Sequence, residues 1–276
     1  MTNRFAIFVN TTDGFGDCWI PFFKLFKRFW CQFSGKIYLN TENESFQFDD
    51  LNIISIKNER FLKGKPNWSK SLIAALDFIE EDVILYIQED YFLNDYVNTN
   101  FIEEAYQLIL KDGSISCIHL TDQATPGPFE DYNGNENFKI ISPKAEYRIS
   151  CQAALWRKNE LKKYIRTYET PWQFELIGTR RARFLYKDTF LIIDKNQYGV
   201  GKQEMLPYVF TGIIKGKWKK EVEPLFAANE IVVDFSKRGF FNEETVFNRR
   251  KNLKWFKSQW YKIVSLSEIH FKRLFA

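Results

Sequence analysis

The chain has 276 residues, 45% of them hydrophobic, and can bury a large core as one α/β domain with elaborations or as a domain with an appendage. Its net charge of +4 favours anionic ligands or an anionic membrane surface and does not by itself indicate nucleic acid. Four cysteines without C-x-x-C spacing and only two histidines argue against a zinc site, and favour reduced thiols in a cytoplasmic protein.

Short apolar runs bounded by turn residues predict strands, and apolar residues at helical spacing predict helices. The order of these elements, β-α-β-β-α-β-α-β, predicts an α/β fold whose mixed, largely parallel sheet is flanked by helices. The strands are predicted at 5–9, 36–40, 53–56, 83–87 and 114–120, and the helices at 19–26, 69–79 and 101–110.

The first predicted strand ends in a polar, glycine-bearing loop, Asn10–Asp17, which leads into a helix with Pro21 in its first turn. This arrangement is the usual start of a nucleotide-binding α/β unit. The Gly14-x-Gly16 pair lacks the third glycine of the dinucleotide fingerprint, and simple turn chemistry explains it equally well.

The most informative stretch is a helix followed by a buried strand that ends in acid. Ser69 is the predicted N-cap of the helix, and the strand Val83–Ile87 is followed by Gln88, Glu89 and Asp90. Carboxylates at the carboxyl end of such a strand reach the ligand crevice, where they suit a divalent cation that in turn binds a diphosphate. The alternative is that the acidic pair only begins a solvated turn.

Residues 121–142 have a loop-like composition, which predicts a lid, an acceptor loop or a disordered insert. The segment 147–158 is predicted to be a strand whose small residues let a ligand approach. After it, Thr170 is predicted to cap a helix that has Pro171 at its first position and Glu175 one turn in. Glu175 is either a functional carboxylate or a glutamate that completes the cap and pairs with an arginine.

From Glu243 onward the chain is basic and aromatic. A catalytic domain is predicted at 1–220 and a basic, aromatic helical extension at 221–276. An amphipathic helix of this composition is typical of peripheral membrane binding, but a helix that packs its aromatic side on the domain is an equal alternative. No apolar run approaches the roughly 20 residues that span a bilayer, and no signal-peptide pattern precedes the first strand.

Three stretches together resemble the GT-A-type glycosyltransferases that use nucleotide sugars, especially small bacterial enzymes of surface-polysaccharide assembly such as capsule and lipopolysaccharide. They are the loop Asn10–Asp17, the helix and strand within Trp68–Phe92, and the helix start Pro171–Glu175. The strict Asp-x-Asp of such enzymes is absent, and Gln88-Glu89-Asp90 takes its place. The resemblance implies a GT-A-like, Rossmann-like sheet.

The resemblance also implies roles for particular residues. Glu175 would be the catalytic base of an inverting transfer, and Asp90 with Glu89 would hold Mn²⁺ or Mg²⁺ against the departing diphosphate. Trp172 and Trp156 would stack on the acceptor. The implied nucleotide-sugar-binding residues are Asn10, Thr11, Asp13, Trp68, Ser69, Lys70, Gln88, Glu89, Arg180 and Arg181.

The function expected on these grounds is transfer of a sugar from a nucleoside diphosphate to a hydroxyl of a glycan or lipid-linked glycan. Uridine diphosphate is the expected nucleotide. One alternative is a nucleotide- or sugar-binding protein of the same fold without turnover. A nucleic-acid-binding protein is a weaker alternative, because Glu221, Glu223, Glu230, Glu243 and Glu244 interrupt the basic segment.

Overall fold

A computed structural model describes residues 5–62, 66–242 and 253–274, and in the last of these ranges it describes side chains from residue 259 onward. The predicted basic and aromatic residues Arg249, Arg250, Lys251 and Phe275, the acids Glu243 and Glu244, and the side chains of Lys254, Trp255, Phe256 and Lys257 lie outside this description.

A nine-stranded sheet forms the centre of the molecule, and a short two-stranded hairpin lies beside it. The strands of the sheet are β1 (Ala6–Asn10), β2 (Ile37–Leu39), β3 (Ile53–Ser55), β4 (Val83–Gln88), β5 (Ile115–His119), β6 (Gly127–Asp131), β7 (Phe138–Glu146), β8 (Ala154–Arg157) and β9 (Thr189–Ile193), and the hairpin consists of β10 (Ile213–Ile214) and β11 (Lys217–Trp218).

Seven helices accompany these strands in the described ranges. They are α1 (Gly16–Phe29), α2 (Trp68–Phe78), α3 (Thr99–Lys111), α4 (Lys158–Tyr164), α5 (Pro171–Phe184), α6 (Val222–Ala228) and α7 (Leu253–Leu274). No helix among the described residues is long and apolar enough to cross a membrane.

The strand order is β3-β2-β1-β4-β8-β5-β9-β7-β6. β1 to β4 run parallel to one another, β5 and β9 run parallel to each other, and β8 lies antiparallel between β4 and β5. Every residue of β1 and β5 is buried, as expected for strands covered on both faces by helices. The predicted α/β fold with a mixed, largely parallel sheet is confirmed.

The start of α2 differs from the prediction that Ser69 is its N-cap, which is wrong. Asn67 caps the helix by accepting a hydrogen bond from the backbone N–H of Lys70 at 3.0 Å, whereas Ser69 is buried and donates to the backbone carbonyl of Glu169. The start of α5 follows the prediction, because Thr170 and Gln173 form a capping box with Pro171 in the first turn. The glutamate at 175 therefore takes no part in the cap.

The prediction that residues 121–142 form a long loop is wrong over much of its length. β6 and β7 form an antiparallel pair at the edge of the sheet, and β7 joins β9. β6 is half exposed and contains Pro128, both of which are features of an edge strand. Likewise, only 154–157 of the predicted strand at 147–158 is a strand, and the residues before it form turns.

The last two described helices pack on the body of the molecule in different ways. In α6, Val222 and Phe226 are buried, and the ring of Phe226 lies 4.9 Å from that of Phe92. α7 packs on α5 and on the turn before it, where its Tyr261 stacks on Tyr168 at 5.0 Å. The helix predicted at this end of the chain is therefore present from Leu253 to Leu274.

Candidate active site

A cleft of about 580 Å³ opens at the carboxyl ends of β1 and β4, where open α/β sheets bind ligands. The pairing of Asn10 with Gln88 across these strands places their ends side by side. Eight of the predicted site residues line this cleft, namely Asn10, Thr11, Trp68, Gln88, Glu89, Asp90, Trp172 and Glu175.

The antiparallel course of β8 supplies another part of the wall. Because β8 begins where its neighbour β4 ends, with Ala154 opposite Tyr86, the residues just before β8 lie at the same edge as the acidic turn. Cys151 and Gln152 therefore line the cleft. The side-chain amide of Gln88 donates to the Cys151 carbonyl at 3.3 Å, which joins the two segments.

Buried amides and hydroxyls form the floor beneath β1. The Asn10 amide donates to the Tyr86 hydroxyl at 3.1 Å, and its carbonyl oxygen accepts from Asn40 at 2.9 Å. The Trp19 indole N–H donates to the Thr11 hydroxyl oxygen at 3.0 Å, which ties the loop to α1. Such a network holds polar groups rigidly at the edge of the cleft, because each buried group has a partner.

Glu89 and Asp90 are buried, and burial is the largest influence on both groups. It raises the pKa of Glu89 well above its usual range, and the neighbouring Asp90 carboxylate raises it further. Burial also raises the pKa of Asp90, although hydrogen bonds from Thr211 and the 212–213 backbone oppose this effect. Among the described residues, no lysine, arginine or histidine forms an ion pair with either carboxylate.

One oxygen of Asp90 anchors the β10–β11 hairpin to the cleft. Asp90 Oδ2 accepts from the Thr211 hydroxyl at 2.5 Å and from the Ile213 backbone N–H at 3.0 Å. Gly212 lies between them, and a Cβ there would come within 2.3 Å of the Phe92 ring. The close approach of this segment to the acidic turn thus requires glycine.

Glu175 lies where the cleft meets a second cavity of about 450 Å³, and it lines both. Its Oε1 accepts from the Cys151 backbone N–H at 2.8 Å, which fixes the carboxylate at the boundary. Burial raises the pKa of Glu175, and the hydrogen bonds from Cys151 and Ser150 oppose this shift. Asp122, Tyr147 and Lys195 are among the residues of the second cavity.

Three predicted site residues are buried in structural roles, and their assignments are wrong. Trp156 lies in the core against Phe190, where no acceptor reaches it. Arg181 is fully buried in an ion pair with Glu169. Ser69 is bound to the backbone carbonyl of the same Glu169 and is fully buried.

Three further predicted residues lie outside the lining of the cleft. Asp13 accepts hydrogen bonds from the backbone N–H groups of Glu42 and Asn43, both at 2.8 Å, and so braces a loop. Lys70 lines a separate, largely apolar groove on α2. Arg180 is exposed on the outer face of α5.

The sequence prediction missed the contribution of the β10–β11 hairpin. Phe210, Thr211, Lys215 and Gly216 line the cleft together with the acidic turn. Lys215 and Gly216 have positive φ angles of 51° and 80°, as in the two-residue turns that join short hairpins. The Lys-Gly pair between apolar residues was a usable signal for a turn, but it did not indicate that the turn lines the same cleft as Asp90.

The acidic pair fits a divalent cation of the Mg²⁺ or Mn²⁺ type. Such ions are held by one or two carboxylates together with water and substrate phosphates, and Glu89 and Asp90 offer oxygen ligands of this kind. Within the described ranges, no three His, Cys, Asp or Glu side chains come together as a complete metal site. The remaining ligands would thus come from a bound phosphate and water.

No protein-family model matches the sequence, and no curated protein sequence matches it. Solved structures similar to the chain include S. aureus TarS 1–349 in complex with UDP-GlcNAc, at 14% identity over 98% of this chain and 87% of that chain with a TM-score of 0.48. Another is a mycobacterial protein, at 9% identity over 87% and 77% of the two chains with a TM-score of 0.44. At these identities and TM-scores the likeness says nothing about substrate or mechanism.

Proposed function

We propose that this protein is a glycosyltransferase that moves a sugar from a nucleoside diphosphate to a hydroxyl of a glycan or lipid-linked glycan. The observation that carries the proposal is the position of Glu175 at the boundary of two cavities, one of which contains the acidic pair. A transferase of this kind needs a donor site and an acceptor site that meet at a base.

The donor would occupy the larger cleft. Its base and ribose would lie against the Asn10–Thr11 edge, and its diphosphate would lie between Asp90 and Lys215. A divalent cation on Glu89 and Asp90, when bound, would neutralise the charge that develops on the leaving diphosphate. Lys215 would add a second positive charge from the hairpin.

The acceptor would approach Glu175 from the smaller cavity. Its hydroxyl oxygen would attack the anomeric carbon as the bond from that carbon to the diphosphate oxygen breaks. The hydroxyl proton would pass to Glu175 Oε2, because Oε1 already accepts from Cys151. Attack on the face opposite the leaving group inverts the anomeric configuration. Trp172, which is 72% exposed at the cleft, would stack on a sugar ring.

The test is calorimetric titration of UDP and then GDP, with and without Mn²⁺, on the wild type and on Asp90→Asn. The variant keeps an oxygen for Thr211 and Ile213 but removes the charge, so we expect roughly tenfold or greater loss of metal-dependent affinity. Asp95→Ala, an exposed acid five residues later, is the matched control and should bind as the wild type does. If neither nucleotide binds under any metal condition, the glycosyltransferase proposal is wrong.

A further inference from the structure

The inner face of α7 is held to the body of the molecule by specific contacts. Ser265 is buried and donates to Glu169 Oε1 at 2.7 Å, next to the buried Arg181. Glu268 accepts two hydrogen bonds from Arg166, at 2.7 and 2.6 Å. With Ile269 also buried, these contacts fix the rotation of the helix about its axis, and thus which side chains point outward.

The outer face of α7 is apolar. Trp260, Ile263 and Leu274 are 63%, 56% and 66% exposed, and Phe271 is exposed between them. Together with the polar Ser267, these four residues recur at steps of three and four, so they lie along one side of the helix. A soluble helix usually places charged residues on the side that faces away from its domain, whereas this row, in the part of α7 whose side chains are described, contains no charged residue.

The row continues on α5. Trp172, Leu176, Arg180 and Phe184 are all exposed and recur every four residues. Arg273 of α7 lies over the Phe184 ring at 4.9 Å, which joins the two rows at the ends of their helices. The row on α5 begins at Trp172, which lines the donor cleft. These two rows are called the α5–α7 face.

The charge of this region is strongly one-sided. Residues 249–276 contain eight lysines and arginines and one acid, Glu268. That acid is already paired with Arg166 and Lys272. Lys262 and Arg273 lie on α7 itself, and Arg180 lies within the row on α5.

We propose that the α5–α7 face lies on an anionic lipid surface, with the donor cleft beside the lipid headgroups. Trp, Ile and Leu side chains on an amphipathic helix insert at the boundary between headgroups and acyl chains, while lysines and arginines contact anionic headgroups. A second copy of the chain is a poorer occupant, because a symmetric pair would bring Lys262 and Arg273 of each copy near those of the other. The inference goes beyond the proposed function, since it concerns where the protein acts.

The experiment is co-flotation of the full chain with vesicles, without nucleotide. The wild type should float with mixed phosphatidylglycerol–phosphatidylcholine vesicles, and much less of it should float with pure phosphatidylcholine vesicles. Trp260→Ser combined with Ile263→Ser should weaken binding to the anionic vesicles roughly tenfold or more, because two large apolar side chains no longer enter the lipid. Lys262→Glu should weaken it roughly fivefold or more.

The matched control is Val200→Ser combined with Val232→Ser, which removes two exposed apolar residues outside the face and should bind as the wild type does. Each variant should keep the circular dichroism spectrum and the nucleotide affinity of the wild type, so that a lipid result stands apart from the test of the proposed function. The inference is overturned if the wild type does not float with anionic vesicles, or if the Trp260/Ile263 variant floats as well as the wild type does. It is also overturned if light scattering shows a wild-type dimer that this variant abolishes, because the face would then be an interface between copies.

Discussion

Glu169 and Glu89 are both buried glutamates, but their surroundings differ. The Glu169 carboxylate accepts from Arg181 at 2.8 Å through Nη1, from Arg181 Nη2, and from the Ser265 hydroxyl at 2.7 Å. Glu89 lies beside a second carboxylate, and no described lysine or arginine forms an ion pair with it. Glu169 therefore has a cation in direct contact, whereas Glu89 has no ion-pair partner among the described residues.

This difference separates a charged group with a structural role from one that is a candidate for a functional role. A buried ion pair with full hydrogen bonding joins α5 to α7 and leaves nothing for a ligand to bind. Two buried carboxyl groups that form no ion pair with a described lysine or arginine are costly to ionise in the folded chain, and such sites are typical of places where a ligand supplies positive charge. Adjacent arginines also differ in burial, because Arg181 is buried in the ion pair and Arg180 is exposed.

The largest expected effect on stability comes from breaking the ion pair between Glu169 and Arg181. Arg181→Met should lower the free energy of unfolding by about 3–5 kcal/mol, because it leaves the Glu169 carboxylate buried without its cation. Urea unfolding followed by circular dichroism measures the change. Arg180→Ala, the exposed neighbour, should change it by no more than about 0.5 kcal/mol. Similar losses in the two variants would contradict the assignment of a structural role to Arg181.

The next effect is on catalysis and leaves the fold intact. Glu175→Gln should lower the rate of sugar transfer roughly 100-fold or more, because the amide cannot accept the acceptor proton, while nucleotide affinity stays within about twofold of the wild type. Transfer is measured by release of nucleoside diphosphate. A wild type that binds nucleotide and transfers no sugar to any acceptor would instead support a binding protein without turnover.

The same carboxylate predicts the pH dependence of the reaction. Burial raises the pKa of Glu175, and in the proposed reaction the group would act as a base only when it is ionised. Activity should therefore fall as the pH drops through this raised pKa, with a midpoint above the usual glutamate range. Ser150→Ala removes a hydrogen bond to the carboxylate and should move the midpoint to higher pH. If the midpoint of the pH profile does not change in this variant, another titratable group controls the loss of activity at low pH.

The smallest expected effect is a gain in stability when Glu89 is replaced. Glu89→Gln replaces a buried carboxyl group, which is costly to ionise and forms no ion pair with a described lysine or arginine, and should raise the free energy of unfolding by about 1 kcal/mol in the absence of metal. The same variant should bind nucleotide more weakly when Mn²⁺ is present. Urea unfolding and calorimetry measure the two effects. A loss of stability would show that Glu89 has a structural partner, as Glu169 has.

Local patterns predicted much of the fold. The apolar runs of β1, β4 and β5 are strands, and the Thr170–Pro171 signal begins α5, because these features depend on neighbours only a few residues away. The β6–β7 hairpin was not predicted, since a half-exposed edge strand with Pro128 has no apolar run and depends on β9 for its pairing.

The candidate site, like the fold, was predicted only in part from the sequence. Sequence patterns alone place Asn10, Gln88, Glu89 and Asp90 at the ends of buried strands, and parallel strands bring such ends together at one edge. The three-dimensional structure alone established that β8 is antiparallel, which carries Cys151 to that edge, and that Lys215, 125 residues after Asp90 in the chain, lines the same cleft. It also decided that Arg181 is buried and Arg180 is not. Helical and strand periodicity reports which face of an element is apolar, whereas the partner of each polar group depends on contacts between segments far apart in sequence.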